Sequence, residues 1–191
     1  MKETATFHDL AGASVVITGG GSGIGASLTE GFLEQGAKVA FVGRSDATAF
    51  CDEMEARHGA RPHFMQCDIT DTDRLKTCIA EAADRHGPIT VLVNNAANDK
   101  RHETLKVDEA FWDWMVAINQ KAYFFACQSV IPGMKAAGGG SIINFSSVSY
   151  MMGNAGYPIY TAANSAINGM TRSLAREFGP GRIRANAAAP G

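Results

Sequence analysis

Short apolar runs alternate along the chain with longer segments in which apolar residues recur every three or four positions. Most positions in the short runs are apolar or β-branched, which is typical of strands buried on both faces of a sheet. They predict strands over residues 15–18, 38–42, 63–67, 89–93, 141–145 and 183–188. The periodic segments predict a first helix ending at Gly36 and further helices over 47–58, 72–86, 108–131 and 157–178. This alternation predicts a single α/β domain, a three-layer doubly wound parallel sheet with helices on both faces.

The segment from Val15 to Gly25 joins the first strand to the first helix through glycines at 19, 20, 21, 23 and 25. The first N–H groups of a helix lack internal partners and carry partial positive charge, so a phosphate can bind there. Glycine lets the phosphate approach the backbone closely because it has no side chain to block it. The strand before the turn and the helix stripe of Ile24, Leu28 and Phe32 argue against the alternative, a flexible glycine-rich loop. The segment predicts a dinucleotide-binding Rossmann fold, with its ligand at the carboxyl ends of the strands.

Composition narrows the function classes. The 191 residues carry a formal net charge of −2, which gives no reason to expect nucleic acid or a membrane surface as a partner. No apolar run reaches the roughly 18 residues of a membrane span, and residues 1–10 lack a signal-peptide core, so we expect a cytoplasmic protein. The four cysteines and five histidines lack metal-ligand spacing, which predicts reduced thiols and no metal site.

The end of the second strand bears on the choice of cofactor. An NAD site often places an acid here to accept from the adenosine ribose hydroxyls, but Gly43 supplies none. The Arg44 guanidinium could instead pair with a 2′-phosphate. This favours NADP over NAD, although Asp46 is near enough to support the opposite choice. In the alternative, Arg44 is a solvated loop residue.

Polar residues also follow the third and fourth strands. The Asp68 carboxylate could accept from an adenine amino group or serve only as a turn residue. Asn94 and Asn95, beside Ala96 and Ala97, could bridge neighbouring strand ends and leave room for a flat ligand, or be ordinary turn residues.

Together these segments resemble the short-chain dehydrogenase/reductase family from about residue 11 to the end of the chain. The resemblance rests on T-G-G-G-S-G-I-G (18–25), C-D-I-T (67–70), N-N-A-A (94–97), Asn119, S-S-V-S (146–149) and Tyr160. The run N-D-K-R-H (98–102) is similar to the aldose dehydrogenase branch.

The resemblance implies hydride transfer between NAD(P) and a secondary alcohol or ketone, possibly a sugar. It implies that Tyr160 is the acid/base, that Ser147 holds the substrate oxygen, and that Asn119 helps to position the proton path. Beside Arg44, the implied cofactor-binding residues are Thr18, Gly19, Gly21, Ser22, Gly23, Ile24, Gly25, Asp68, Ile69, Asn95, Ala96, Ala97, Pro190 and Gly191.

The most informative departure from the family is Asn164, which stands where the family has a lysine four residues after the tyrosine. A cation ~4 Å away at an effective dielectric near 20 is worth at most about 4 kcal/mol, roughly three pH units of titration. Without that charge, less Tyr160 phenolate would exist at neutral pH. We therefore expect Asn164 to take the place of the lysine in the site. We expect the protein to turn over slowly, with its rate profile shifted to alkaline pH.

Two further departures concern Ala97 and the chain end. Ala97 stands where the family usually has glycine, and its methyl could crowd the nicotinamide or have no effect. The family continues past Pro190-Gly191 with a substrate-covering segment, a helix and a last strand. We therefore expect a chain truncated relative to the family, its last strand an unprotected sheet edge.

Two helices predict self-association. The helix from Asp108 has one apolar stripe at 111, 115, 118, 122 and 125, and a second at 112, 116, 123 and 127. Small residues at 162, 166, 169 and 173 would allow close helix approach, and the family pairs these helices across two-fold axes. We expect a homodimer or homotetramer, unless the second stripe packs within the subunit.

Three functional hypotheses compete. The leading one is the oxidoreductase; the alternative is a non-catalytic dinucleotide-binding or oligomer-forming protein of the same fold. A phosphate-binding NTPase is excluded because the glycine turn lacks G-x-x-x-x-G-K-[ST]. His102, Lys100 and Asn154 either line the substrate pocket or are surface-loop residues.

Overall fold

A computed structural model describes residues 5–191 of the chain. Its six strands form one parallel sheet in the order β3-β2-β1-β4-β5-β6. The order reverses direction between β1 and β4, which creates the crevice where doubly wound folds bind ligands. The strands are β1 (Ser14–Thr18), β2 (Lys38–Gly43), β3 (His63–Gln66), β4 (Val91–Asn94), β5 (Gly140–Phe145) and β6 (Ile183–Ala188).

Helices connect the strands and cover the sheet. They are α1 (Gly23–Glu34), α2 (Thr48–His58), α3 (Thr72–His86), α4 (Glu109–Val116), α5 (Ala122–Ala136), the short α6 (Ser149–Met152) and α7 (Pro158–Phe178). The predicted α/β architecture is therefore confirmed. Local signals account for several ends: the Asp71 carboxylate accepts from the Arg74 amide at 2.9 Å to cap α3, and Gly59, at φ +67°, ends α2.

The core has two halves because successive strand residues point to opposite faces. Val15, Ile17 and Phe41 pack on the face covered by α1 and α2. Val16, Leu92 and Ile142 pack on the other face, against α3 and α5. Both faces of β1 are buried, which explains its uninterrupted apolar sequence.

The predicted helix over 108–131 is wrong in its end and in its regularity. Helix α4 continues through a π-helical turn, Ala117–Lys121, into α5, which passes Pro132 and ends at Ala136. Proline removes one backbone hydrogen bond, but Met134, fully buried two residues later, packs this turn against the core. Tertiary packing therefore outweighs the local break.

The second apolar stripe of that helix is also corrected. Tyr123 and Cys127 lie inside the subunit, fully buried, because α5 packs on the sheet beside α3. Trp112 and Phe124 instead have exposed side chains. The stripe therefore does not form one outward face.

Strand boundaries differ little from the predictions. β4 begins at Val91 rather than residue 89, although Ile89 is buried. β6 pairs with β5 and lies at the edge of the described sheet, where Arg184 and Asn186 are exposed.

Candidate active site

The glycine turn after β1 is shaped by contacts that exclude side chains. A Cβ on Gly25 would overlap the Gly19 carbonyl oxygen, and a Cβ on Gly20 would lie 2.5 Å from the Phe41 Cβ. The Thr29 hydroxyl donates to the Gly20 carbonyl at 2.8 Å and ties the turn to α1. Glycine is required at these two positions because the Gly19 carbonyl and the Phe41 and Thr29 side chains fill the space that a Cβ would need.

This turn presents amides to the sheet edge. Helix α1 begins at Gly23, and its N-cap Ser22 makes no side-chain capping bond. Ala26 donates to the Ser22 carbonyl, so the N–H groups of residues 23–25 precede the first intrahelical bond. These amides and the glycine cradle fit a pyrophosphate.

Asn95 joins the glycine turn to the end of β4. Its side-chain amide donates to the Thr18 carbonyl at 3.0 Å and the Gly19 carbonyl at 3.3 Å. The Thr18 hydroxyl accepts from the amides of Asn95 and Ala96 at 2.9 and 3.0 Å. The prediction that this amide bridges strand ends is confirmed.

A groove of about 570 Å³ runs along the carboxyl ends of β1, β2, β3 and β4. It brings together eleven of the predicted cofactor-binding residues: Gly19, Gly21, Ser22, Ile24, Gly25, Arg44, Asp68, Ile69, Asn95, Ala96 and Ala97. Residues from four strand ends are thus assembled into one groove at the edge of the sheet.

Four predicted cofactor residues do not line this groove. Thr18 is 1% exposed and lies behind it, and Gly23 is on the exposed side of the turn. Pro190 and Gly191 lie beside the segment after β5, where the Pro190 carbonyl accepts from the Val148 amide at 3.2 Å. Thr18 thus supports the groove through its neighbours.

Two carboxylates in the groove make local bonds. The Asp46 carboxylate accepts from the Thr48 hydroxyl at 2.6 Å and the Thr48 amide at 3.0 Å, and these bonds hold the pKa of Asp46 below its usual value. Asp68 accepts from the Thr70 amide at 2.9 Å and its hydroxyl at 2.8 Å. Asp68 is therefore both a turn residue and a groove residue, while Arg44 is exposed at the rim.

Asn119 lies in the π-helical turn and is buried. Its side-chain oxygen accepts from the Asn98 amide at 2.8 Å, and its side-chain amide donates to the Asn98 carbonyl at 3.0 Å and the Met115 carbonyl at 2.9 Å. The side chain therefore holds the loop after β4 against the helix.

Ser147 and Tyr160 lie at the same edge, one strand beyond the groove. Ser147 follows β5 and accepts from the Ser149 amide at 3.1 Å, while Tyr160 is in the first turn of α7. The Ser146 hydroxyl donates to the Asn164 carbonyl at 3.0 Å and joins the two segments. The half-buried Tyr160 ring packs on Tyr157, with ring centroids 5.6 Å apart.

Asn164 lies one turn after Tyr160 and is 5% exposed. Its side-chain amide donates to the Tyr160 carbonyl at 2.9 Å, so it folds back on its own helix. It brings no charge to the phenol.

A buried polar network beneath the site extends beyond the prediction for Asn94. The Asn94 side-chain amide donates to the Asn144 side-chain oxygen at 2.9 Å, and the Asn144 amide donates to the Thr171 hydroxyl at 2.9 Å. This confirms that Asn94 bridges strand ends. Sequence reasoning missed Asn144 and Thr171, although an asparagine within the apolar strand S-I-I-N-F was an available signal.

Comparison with known proteins decides the family. The family model described as short chain dehydrogenase matches residues 13–191. The chain belongs to the short-chain dehydrogenase family. The predictions of the family, of the Rossmann-type fold and of an NAD(P)-dependent dehydrogenase or reductase class are thereby confirmed.

Relatives of this short-chain dehydrogenase include enzymes named for sugars. A probable galactose dehydrogenase of Rhizobium meliloti is 43% identical over 190 residues, which are 98% of this chain and 74% of the relative. A D-xylose 1-dehydrogenase of Caulobacter vibrioides is 44% identical over 189 residues, 98% of this chain and 75% of the relative. The resemblance to the sugar dehydrogenase branch is therefore supported.

Solved structures agree with the fold. L-sorbose reductase from Gluconobacter frateurii, complexed with NADPH and L-sorbose, has a TM-score of 0.90 at 26% identity, covering 95% of this chain and 70% of that one. An NADH-dependent reductase complexed with NAD has a TM-score of 0.88 at 26% identity, covering 96% and 80%. The two relatives therefore carry different nicotinamide dinucleotides.

Other features of this short-chain dehydrogenase lie outside the groove chemistry. Glu30, Glu34 and His58 have ligand atoms within 4.8 Å of one another, but Glu30 already pairs with Arg57 at 2.8 Å and His58 at 3.0 Å. All four cysteines are buried and unpaired, and burial, followed by the neighbouring Cys78, raises the pKa of Cys67 to about 12. Within residues 5–191, no helix has the length and apolar character needed to cross a bilayer.

Proposed function

We propose that the protein transfers a hydride between a nicotinamide dinucleotide and the carbinol carbon of a sugar or related secondary alcohol. The observation that carries this proposal is the shared sheet edge of two half-sites. One is the groove with the α1 amides, and the other is the pair Ser147 and Tyr160 at the neighbouring strand end. The names of the galactose and xylose dehydrogenases support a sugar substrate.

Each side chain has a role in this chemistry. A nicotinamide dinucleotide, held by the groove residues and the α1 amides, would supply the hydride acceptor or donor. Tyr160 takes the hydroxyl proton during oxidation and returns it during reduction, and Ser147 donates a hydrogen bond to the substrate oxygen. Asn119 keeps the loop after β4 in place, which orients the wall beside the reacting carbon.

We propose NADP as the preferred cofactor. Gly43 places no acid at the ribose, and Arg44 is exposed at the groove rim, where its planar guanidinium can pair with a 2′-phosphate. Asp46, the residue that would favour NAD, already accepts two bonds from Thr48. Fluorescence titration with NADPH and NADH tests this preference, and tighter binding of NADH would contradict it.

We propose that turnover is slow at neutral pH because of Asn164. Its amide is bonded to the Tyr160 carbonyl, and it supplies no positive charge that would stabilise a Tyr160 phenolate. Asn164→Lys should therefore raise the rate at pH 7, by up to roughly a thousandfold if the full ~4 kcal/mol is recovered, and move the rate profile to lower pH.

The test compares pH–rate profiles over a panel of pentoses, hexoses and polyols. Ser165→Lys is a matched control because it adds the same charge at the exposed adjacent position on α7. If Asn164→Lys is no faster than the wild type at pH 7, the proposal that Asn164 slows turnover is rejected. Equal acceleration by Ser165→Lys would show a nonspecific charge effect.

The uncharged Asn164 at this position also favours a second candidate, a non-catalytic dinucleotide-binding or oligomer-forming protein of the same fold. Dinucleotide binding without turnover on any substrate between pH 6 and pH 10 would select it. If the wild-type chain neither binds a dinucleotide nor turns over any substrate, the oxidoreductase and the dinucleotide-binding protein are both rejected.

We also propose a homodimer or homotetramer built on α4, α5 and α7. Trp112 and Phe124 are exposed apolar side chains, and Ala162 and Gly169 leave an open surface on α7. Light scattering tests the assembly, and Phe124→Glu should shift it toward the monomer. A monomeric wild-type chain would contradict this proposal.

A further inference from the structure

The loop after β4 is bonded to both elements that carry the acid/base machinery. At its start, the Asn98 backbone exchanges two hydrogen bonds with the Asn119 side chain. Four residues later, the His102 amide donates to the Gly156 carbonyl at 2.7 Å, directly before α7. Five residues of chain therefore span the distance from Asn119 to the helix of Tyr160.

The His102 imidazole adds a bond to α7 itself. Its Nδ1 lies 3.0 Å from the Lys100 carbonyl, and its Nε2 lies 3.5 Å from the backbone nitrogen of Ile159. A carbonyl can only accept and an amide N–H can only donate, so one tautomer satisfies both contacts. Nδ1 carries the proton, and Nε2 accepts.

Helix α7 lacks a cap of its own. Its N-cap residue, Tyr157, makes no side-chain capping bond, and the first intrahelical bond runs from the Thr161 amide to the Tyr157 carbonyl at 3.1 Å. The Ile159 amide therefore has no partner within the helix. His102 supplies the missing acceptor from another segment.

Neighbouring contacts hold the imidazole and the turn before α7. The His102 ring packs on the edge of Phe111, with centroids 5.1 Å apart. Arg101 donates to the Ala155 carbonyl at 3.1 Å, and its guanidinium lies 3.8 Å from the Tyr157 ring centroid. The loop is thus attached to the turn by several bonds, of which the His102 imidazole alone reaches the helix amide.

We propose that His102 is a positioning residue for Tyr160, acting as a cap donated to α7 by the loop after β4. This inference rests on the proposed function for its catalytic consequence. Tyr160 immediately follows Ile159, so the capped amide fixes the turn from which the phenol projects. Misplacement of an acid/base by about 1 Å can reduce a rate by about a hundredfold.

Three substitutions separate the contacts of His102. His102→Gln keeps an acceptor near the Nε2 position, His102→Asn keeps a donor near the Nδ1 position, and His102→Phe keeps a ring on Phe111 without either bond. Amide hydrogen exchange at Ile159 and Thr161 should accelerate about tenfold in His102→Asn and His102→Phe, and remain near wild type in His102→Gln. Exchange within α3 serves as the control for global unfolding.

Turnover should follow the same order. At saturating dinucleotide, kcat should fall about tenfold in His102→Asn and His102→Phe, with the dinucleotide Kd unchanged and partial recovery in His102→Gln. Unchanged exchange at Ile159 in His102→Phe, or equal loss in all three variants, would overturn the proposal. Accelerated exchange with an undiminished kcat would overturn it as well.

The two readouts also separate this inference from the function on which it rests. A wild-type chain that turns over no sugar contradicts the proposed function. The exchange of the Ile159 and Thr161 amides still decides whether His102 holds the turn of Tyr160.

Discussion

The glycine turn before α1 and the first turn of α7 lie at the same edge of the sheet, but their geometry has different origins. The glycine turn is held by close contacts, with the Gly19 carbonyl at Gly25 and with the Phe41 and Thr29 side chains at Gly20, that leave no room for a Cβ at either position. The start of α7 depends on side chains from distant segments: His102 reaches the first turn, and Ser146 donates to the Asn164 carbonyl one turn later. We therefore expect dinucleotide binding to depend mainly on the shape of the glycine turn, and proton transfer at Tyr160 mainly on side-chain contacts.

From this difference we expect that one substitution can alter the chemistry and leave dinucleotide binding unchanged. Asn164 is buried among α7 contacts and bonds to the Tyr160 carbonyl, and it does not line the groove. A change there acts on the phenol. A change at Gly25 acts on the phosphate cradle.

The strongest test of the comparison is Gly25→Ala. The added methyl would occupy the position of the Gly19 carbonyl oxygen, so the turn must move and its amides lose their alignment. We expect dinucleotide affinity to fall at least about a hundredfold, measured by fluorescence titration.

Gly31→Ala is the matched control on the same helix. A Cβ at Gly31 meets no atom within 4 Å, and alanine favours an α-helix, so binding should be unchanged and stability equal or higher. Wild-type affinity in Gly25→Ala would show that the turn tolerates the methyl and that backbone shape does not limit binding.

The second test disrupts the buried polar network of Asn94, Asn144 and Thr171 beneath the candidate site. Asn144→Leu would remove the oxygen that accepts from Asn94 and the amide that donates to Thr171, all three side chains being buried. We expect the free energy of unfolding to fall by about 2–4 kcal/mol in urea denaturation.

Asn186→Leu is the control for this variant. Asn186 lies on β6 in register with Ile143, the neighbour of Asn144, and its side chain is exposed. Its replacement should change stability by no more than about 0.5 kcal/mol. Equal effects of the two substitutions would argue against a special role for the buried network.

The smallest expected effect is a pH dependence of stability from His86, at the end of α3 and away from both turns. Burial, and then repulsion from His63, lowers the pKa of His86 below 6.5. As the pH falls through 6.5, the unfolded chain binds a proton at His86 before the folded chain does, so stability decreases. His86→Asn should flatten this decrease in chemical denaturation between pH 7 and pH 5.

His8→Asn provides the comparison, since His8 lies in an exposed turn near the start of the chain. A pH slope that persists in His86→Asn would assign the dependence to other groups. Catalytic pH profiles should be the same in both variants, because neither histidine belongs to the groove or to the first turn of α7.

Much of the fold was predictable because its signals are local. Apolar runs marked the strands, and the glycine turn with its flanking strand and helix marked the proposed phosphate site. The end of α5 was not predictable from Pro132, since the packing of Met134 on the sheet overrides the local preference. The burial of Tyr123 likewise depends on α3, which precedes it by more than thirty residues.

The sequence by itself determined the parallel α/β order, the glycine cradle, and the identity and spacing of Ser147, Tyr160 and Asn164. These follow from short-range stereochemistry and from residue types that appear directly in the chain. Only the tertiary structure decided that Asn119 uses its amide on the loop after β4 and that His102 reaches the amide of Ile159, 57 residues away. Such contacts join segments whose separation in sequence carries no information about their distance, because folding alone brings the strand ends to one edge.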